Sequence, residues 1–497
     1  MLDDDDRTMM LALRRYLEHA NELAGREERT ELTPIGERIR DHLGVDPQTV
    51  PVVTEEIADH RLVDADIALE VLSGGDAASL VGIAGDDGRF HSSLSEFIAH
   101  AHSRWSIGPV SYAARATGPD TTRRVVSFGL WLLTIDGTPI AVLQRAAKPE
   151  YGRASATLDV LSADQDRASA FLVRLRALMI EHSVLRGQVL SFTRSEYGAD
   201  AGATFLRRPD VSADDVVLPD GLLDEVVAHV VGIGEQRAAL LAAGQHLKRG
   251  VLLYGPPGTG KTLTIRHLLT RTPTVTAVLL TGSSIAAIGA AAEIARTFQP
   301  SVVVLEDIDL VAMERTASPQ PLLFEVLDAL DGLDGDADVA FVMTTNRVSV
   351  LERALADRPG RVDLAVEVPL PALPERTRLF RRYAGSLPFS DQAIADAAER
   401  AEDTTGSFAK ELMRRSVLGA ALRGAEPEDQ DLADALESLL TARSALTRKL
   451  LGTRDGDADD DEGGSDDGTE DDGSDGGHWV AYAPLAGQVI ARSGTTD

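Results

Sequence analysis

The stretch "LLYGPPGTGKTLTI" sets Gly255, Gly260, Lys261 and Thr262 at the spacing G-x-x-x-x-G-K-[ST]. Glycines at those places let successive backbone N–H groups point into an anion-sized hollow, and a helix that follows adds its positive end. Lys261 then reaches the β- and γ-phosphates of a triphosphate while the Thr262 hydroxyl binds Mg²⁺. The whole run Gly255, Pro256, Pro257, Gly258, Thr259, Gly260, Lys261, Thr262 and Leu263 is the expected phosphate cradle. A second stretch, "VVVLEDIDLVAMER", has the pattern of a buried strand that delivers two adjacent carboxylates, Glu306 and Asp307, to its own carboxyl end. Metal-assisted transfer of a phosphoryl group to water needs two such acids, one to hold the hydrated cation and one to orient the nucleophile.

Composition narrows the alternatives. The chain has 497 residues, 43% of them hydrophobic, enough for roughly three domains with cores of their own. It has no cysteine, so disulfides, thiolate metal sites and cysteine nucleophiles are excluded, and any metal must be held by oxygen or histidine. A formal charge of −30 opposes a nucleic-acid partner, because phosphate backbones are bound by clustered Lys and Arg. No apolar run has the length of a membrane span, and "MLDDDDRTMM" is acidic where a secretory signal would be basic, so the expectation is a cytoplasmic protein with no membrane contact. Twelve acids against one base lie between Arg454 and Gly477, in a Gly, Ser and Asp run too poor in apolar groups to offset its ordering entropy; residues 451–497 are therefore expected to be a disordered acidic tail.

The elements that must position the cradle and the acids can be read from periodicity. "GVLLYG", "TAVLLTG", "SVVVLED", "VAFVMTTN" and "LAVEVP" alternate with helical segments in the βαβ rhythm of a parallel sheet, over 221–375. Residues 376–450 are helical throughout, as a lid beside the sheet would be. Upstream, 1–105 has mostly helical spacing, as in "TMMLALRRYLEHANELA" and "LTPIGERIRDHLGV". Residues 106–208 look like a small α+β module, with a hairpin around Asp136-Gly137, a helix whose face carries Ala168, Phe171, Leu172, Leu175, Leu178 and Met179, and the strand-like "GQVLSF". The prolines and acids of 209–220 read as a linker or strap.

In this setting residues 221–440 resemble one AAA-type ATPase module, within the P-loop NTPase class. The resemblance implies ATP and Mg²⁺ as ligands, and a homo-oligomer, usually a hexamer, that remodels a protein substrate delivered directly or through an adaptor. "VVGIGEQ" resembles the segment that cups adenine, which points to Val231, Gly232 and Ile233; "MTTN" resembles the sensor strand, which puts Asn346 beside the attacking water. "ALADRPGRVD" resembles the arginine-finger segment, placing Arg358 and Arg361 at the edge facing a neighbouring subunit, and "TTGSFAKEL" stands where a second sensor lies, bringing Gly406 and Ser407 toward the sugar and base. The family's acids usually read Asp then Glu. Here Glu306 takes the metal position and Asp307 the water-orienting one, with modest turnover expected. The family also grips its substrate with an aromatic on the loop after the second strand; "TGSSIAAIGAAAEIARTF" offers Ile285 and Ile288 and no aromatic, a departure that weakens the threading reading and leaves only aliphatic contact, with less area per step, as a means of grip. A nucleotide-dependent regulatory scaffold with slow turnover is the alternative reading.

Overall fold

In the computed structural model the described residues are 14–16, 32–85, 87–99, 105–192, 202–309, 335–347 and 362–441. The Thr33 hydroxyl accepts from the Gly36 N–H with Pro34 in the first helical turn, which starts helix α1 (Pro34–Leu43); Gly44 ends it in the left-handed conformation. Strand β1 (Val52–Ile57), helix α2 (Leu62–Leu72), strand β2 (Leu80–Ile83) and helix α3 (Leu94–Ile98) follow. Next come β3 (Ile107–Gly108), β4 (Ser111–Ala116), β5 (Thr122–Ile135), β6 (Thr138–Arg145), β7 (Ala156–Leu161) and helix α4 (Gln165–Glu181). The β5–β6 hairpin turns on Asp136 and Gly137, both at positive φ, as two-residue turns of this hand require.

These seven strands form one antiparallel sheet, β1-β7-β6-β5-β2-β3, with β4 also on β5. Alternation along β5 and β6 serves two cores. Leu133, Ile140 and Val142 meet α2 and α4 through Leu69, Phe171 and Leu175, while Phe128, Leu130 and Leu143 meet α1 and α3 through Ile35, Ile39 and Phe97. The helical reading of 1–105 omits β1 and β2. "VVTEEI" carries Thr and Glu at a sheet edge and becomes a strand through its pairing with β7, from Val52↔Leu161 to Ile57↔Ala156, a contact more than 100 residues distant that no local pattern reveals.

A second sheet holds β8 (Val189–Phe192), β9 (Ala203–Leu206), β10 (Arg249–Tyr254), β11 (Thr276–Thr281), β12 (Ser301–Glu306), β13 (Val339–Thr345) and β14 (Leu364–Glu367), in the order β14-β10-β13-β12-β11-β8-β9. All its pairings are parallel except β8 with β9. Helices α5 (Leu222–Val227), α6 (Lys261–Arg271) and α7 (Ile288–Thr297) flank it, and a π-helical turn, Ala228–Gly232, extends α5. The lid is α8 (Leu373–Ala384), α9 (Asp391–Arg400), α10 (Gly406–Leu422) and α11 (Asp429–Leu440), packed around Phe380, Phe408, Leu412 and Leu436. "GQVLSF" thus leaves the α+β module: β8 lies parallel to β11, with Val189 beside Ala277. The run Val189-Leu190-Ser191-Phe192, apolar at three of four positions, marks a buried strand without saying which sheet buries it.

One arginine fastens this added edge. Arg208 donates through Nη1 to the carbonyls of Leu269 and Thr272 at 3.0 and 2.9 Å, and through Nη2 to those of Gly187 and Val275 at 3.0 and 2.8 Å. It closes the carboxyl end of α6 against the turns that lead into β8 and β11. Arg208→Ala is expected to cost about 2–4 kcal/mol, because four carbonyls lose a charged donor at once. Arg208→Lys should recover less than half of that, since a point charge cannot fork. Denaturant unfolding followed on the parallel-sheet module checks this; a loss below about 0.5 kcal/mol, the scale of an ordinary surface change, would show that water replaces the guanidinium.

Candidate functional site

The phosphate loop leaves the carboxyl end of β10, which lies between β13 and β14. Gly255 sits at φ 143, where an added Cβ would meet the Val368 carbonyl oxygen at 2.2 Å; Gly258 sits at φ 79, with Ser407 Oγ at 2.8 Å from the same imagined atom. Both positions need glycine for conformation and for space. Helix α6 begins at Lys261 with Gly260 as its cap and no side chain bonded to its first turn, so its leading N–H groups are left for a ligand. The Gly406 N–H donates to the Gly258 carbonyl at 3.1 Å, which docks the start of α10 on the loop.

Lys261 is 6% exposed and donates to the carbonyls of Gly255 and Pro256 at 2.7 and 2.8 Å. Burial lowers its pKa to about 8, against the opposing pull of Asp307 and Asp309. At the end of β12, Asp307 takes φ 53, a left-handed backbone uncommon outside glycine. Two bonds hold it there: its N–H donates to Thr344 Oγ1 at 2.9 Å, and its Oδ1 accepts from Asn346 Nδ2 at 3.1 Å. Asp309, 3% exposed, accepts from the Thr345 hydroxyl at 3.1 Å and the Asn346 N–H at 3.2 Å. The "TTN" end of β13 is therefore a frame that grips Asp307 and Asp309 at the end of β12.

A cavity of about 360 Å³ unites these parts. Of the residues named from sequence, Pro257, Gly258, Thr259, Gly260, Lys261, Thr262, Leu263, Asp307, Asn346, Gly406 and Ser407 line it. Gly255 and Pro256 stand behind it as acceptors for Lys261. Glu306 is not on its wall; its Oε1 is buried with no hydrogen-bond partner among the described residues. That orphaned oxygen, with the Thr262 hydroxyl on the wall, fits the hard oxygen donors that a hydrated Mg²⁺ takes. Arg358 and Arg361 lie outside the described residues.

Val231, Gly232 and Ile233 do not line this cavity. Val231, 6% exposed, packs in the core behind β10 with Val226 and Val230. Val216 and Val217, in the stretch read as linker, line the cavity together with Leu379 and Tyr383 of the lid. Arg378 fixes that strap by donating to the Leu218 carbonyl at 2.7 Å, and Arg382 pairs with Asp215. Arg266, one and a half turns into α6, also faces the cavity. The available signal for the strap was the apolar pair Val216-Val217 among acids and prolines. Ile285 and Ile288, the aliphatic side chains on the loop after the second strand of the module, are 1% and 2% exposed and belong to the core under β11 and β12.

Residues 251–370 match the model of the ATPase family associated with various cellular activities (AAA). The match to the AAA ATPase family lies within the parallel-sheet module. It is similar to proteasome-activating nucleotidase 1 of Halobacterium salinarum, with 33% identity over 212 residues, 39% of this chain and 51% of the relative. It is also similar to the ATP-dependent zinc metalloprotease FtsH 3 of Sphaerobacter thermophilus, 30% identical over 270 residues, 51% of this chain and 54% of that one. The 26S proteasome regulatory subunit 4 homolog of Dictyostelium discoideum is 30% identical over 215 residues, 40% and 48% of the two chains. The chain spans about half the length of these relatives. Among the described residues no helix is long and apolar enough to cross a membrane.

Proposed function

We propose that the chain is an ATP hydrolase that assembles into a homo-oligomeric ring, a hexamer in the usual geometry of the family, and works in the cytoplasm on a protein substrate or adaptor recruited by its N-terminal sheet. One observation carries the reading: a single cavity joins the phosphate loop, Lys261 and Thr262 to an acid held by a strand-end Asn. In this reading the loop from Gly255 to Leu263 holds the phosphates, and Val216, Val217, Leu379 and Tyr383 enclose the base. Gly406 and Ser407 approach the sugar, Thr262 and Glu306 hold Mg²⁺, and Asp307 with Asn346 orients the water. Arg358 and Arg361 reach a neighbour's nucleotide. Mg²⁺ when bound supplies charge neutralisation at the phosphates. The relatives' names, which speak of proteasome activation and proteolysis, support a protein substrate.

The burial of Ile285 and Ile288 favours a second reading, a nucleotide-dependent scaffold with slow turnover, because neither side chain is free to grip a polypeptide. Phosphate release by the purified chain with Mg²⁺-ATP, with and without an unfolded protein such as casein, separates the two. Stimulation of severalfold supports remodelling; an unstimulated slow rate with ATP-dependent assembly supports the scaffold. No phosphate release and no ATP binding would remove both.

A further inference from the structure

Val231 lines a second cavity, of about 230 Å³, at the amino ends of the parallel strands. The phosphate loop leaves the other end of β10, and a strand of six residues, roughly 20 Å, separates the two spaces. The walls are partly aliphatic, through Val231, Val275, Val302, Pro273 and Pro300, and partly polar, with the exposed Glu235 and Arg271 at the rim. The floor is an ion pair, Arg249 Nη1 to Asp338 Oδ1 at 2.9 Å, with side chains 5% and 3% exposed. Arg249 also donates through Nε to the Val230 carbonyl and through Nη1 to that of Leu247. Its Nη2 faces Gly234, where an added Cβ would stand 3.1 Å from Nη2 and 3.6 and 3.8 Å from the two Asp338 oxygens. A side chain at 234 would cover the pair; glycine leaves it open to the cavity.

Three independent features argue against a packing defect. The space opens to solvent past the exposed Pro273, Thr274 and Pro300, so it is a crevice a ligand can reach and not a gap left inside a core. A buried ion pair contributes no more stability than well-packed apolar side chains would, so its retention beneath an open space needs another reason. The wall at Val231 belongs to a π-helical turn, a geometry that concentrates at functional sites.

The chemistry of the lining selects the ligand. Arg249 and Asp338 cancel, as do Arg271 and Glu235 at the rim, so the lining carries no net charge and a charged ligand would leave one charge unbalanced at the buried floor. An amide suits both atoms: its carbonyl accepts from Arg249 Nη2 while its N–H donates to the Asp338 carboxylate. The space is smaller than drug-sized pockets of about 300–1,000 Å³, which limits the attached group to one residue's side chain. We infer that this cavity binds an uncharged, amide-bearing aliphatic group the size of one Val, Leu or Ile residue, presented by a small molecule or by a peptide.

The test uses the full chain and N-acetyl-L-leucine amide as probe, titrated by saturation-transfer NMR. Saturable binding is expected, with N-acetyl-L-leucine, its carboxylate counterpart, at least about tenfold weaker. Gly234→Val and Val275→Phe fill the space from two sides and should each weaken the probe at least about tenfold, with melting temperature and ATP binding retained as evidence of folding. A capped tripeptide with central leucine that binds more tightly than the probe identifies a peptide source; weaker binding identifies a small molecule. Lys261→Ala should bind the probe as the natural chain does, so failure of the nucleotide reading leaves this one standing. Absence of saturable binding, or equal binding by both filled variants, overturns it.

Discussion

Lys261→Ala abolishes detectable nucleotide binding, and in the natural chain ATP affinity falls by about tenfold per pH unit above pH 8. Both expectations come from one side chain. Lys261 is the cation among the described residues of the phosphate loop, and burial has lowered its pKa from 10.5 to about 8. Below pH 8 it is charged and meets the phosphates directly. Above pH 8 the nucleotide-free protein loses that proton, and ATP must restore it in order to bind. The stability of the nucleotide-free fold has the opposite slope. The unfolded lysine keeps its proton to about pH 10.5 while the folded one releases it near 8, so folding stability contributed by this group rises between those values. Calorimetric titration of ATP from pH 7 to 10, with melting curves of the free protein over the same range, measures both slopes. A flat affinity profile in the natural chain, or an unchanged stability slope in Lys261→Ala, would show that another group titrates.

The phosphate loop and the acids were legible because their chemistry is local: glycine spacing, a lysine and two carboxylates occupy short runs, and the strands beneath them are apolar enough to be read one by one. What could not be read is long-range. β1 and β2 became strands by pairing with residues about 50 to 100 positions away, and β8 crossed to the parallel sheet because a short, mostly apolar run does not name its neighbour. The strap on the cavity wall illustrates a different limit. "VVGIGEQ" had the right composition, but Val231 was needed in the core behind β10, and the cavity wall fell to Val216-Val217, held in place by lid arginines more than 160 residues later. Ile285 and Ile288 show the same competition: an aliphatic side chain beside a sheet gains more from burial than from exposure on a loop.

The exchanged acids give the sharpest expectation. Asp307→Asn should keep ATP and Mg²⁺ binding, since the phosphate loop and Thr262 are untouched, yet lose hydrolysis by a factor of about 10² to 10⁴, the range for a removed general base. Asp307 reaches the cavity wall although its side chain is one methylene shorter than the usual glutamate. The left-handed backbone and the bond from its N–H to Thr344 keep it there. Thr344 is thus a positioning residue. Thr344→Val should lower kcat by about 5- to 30-fold, the worth of one buried hydrogen bond, and leave the KM for ATP nearly unchanged. Thr344→Ser, which keeps the acceptor, should restore the rate; a purely structural role for the methyl group would not give that rescue. Glu306→Gln should behave otherwise, weakening Mg²⁺ affinity and ATP affinity together, because a neutral amide is a poorer partner for the hydrated cation. The double exchange Glu306→Asp with Asp307→Glu restores the common order and should hydrolyse at least as fast as the natural chain. The readout is steady-state phosphate release across a Mg²⁺ titration, with ATP binding followed separately by calorimetry. If Asp307→Asn turns over at the natural rate, the water is oriented by another group, and the frame that "TTN" builds around Asp307 and Asp309 serves the fold alone.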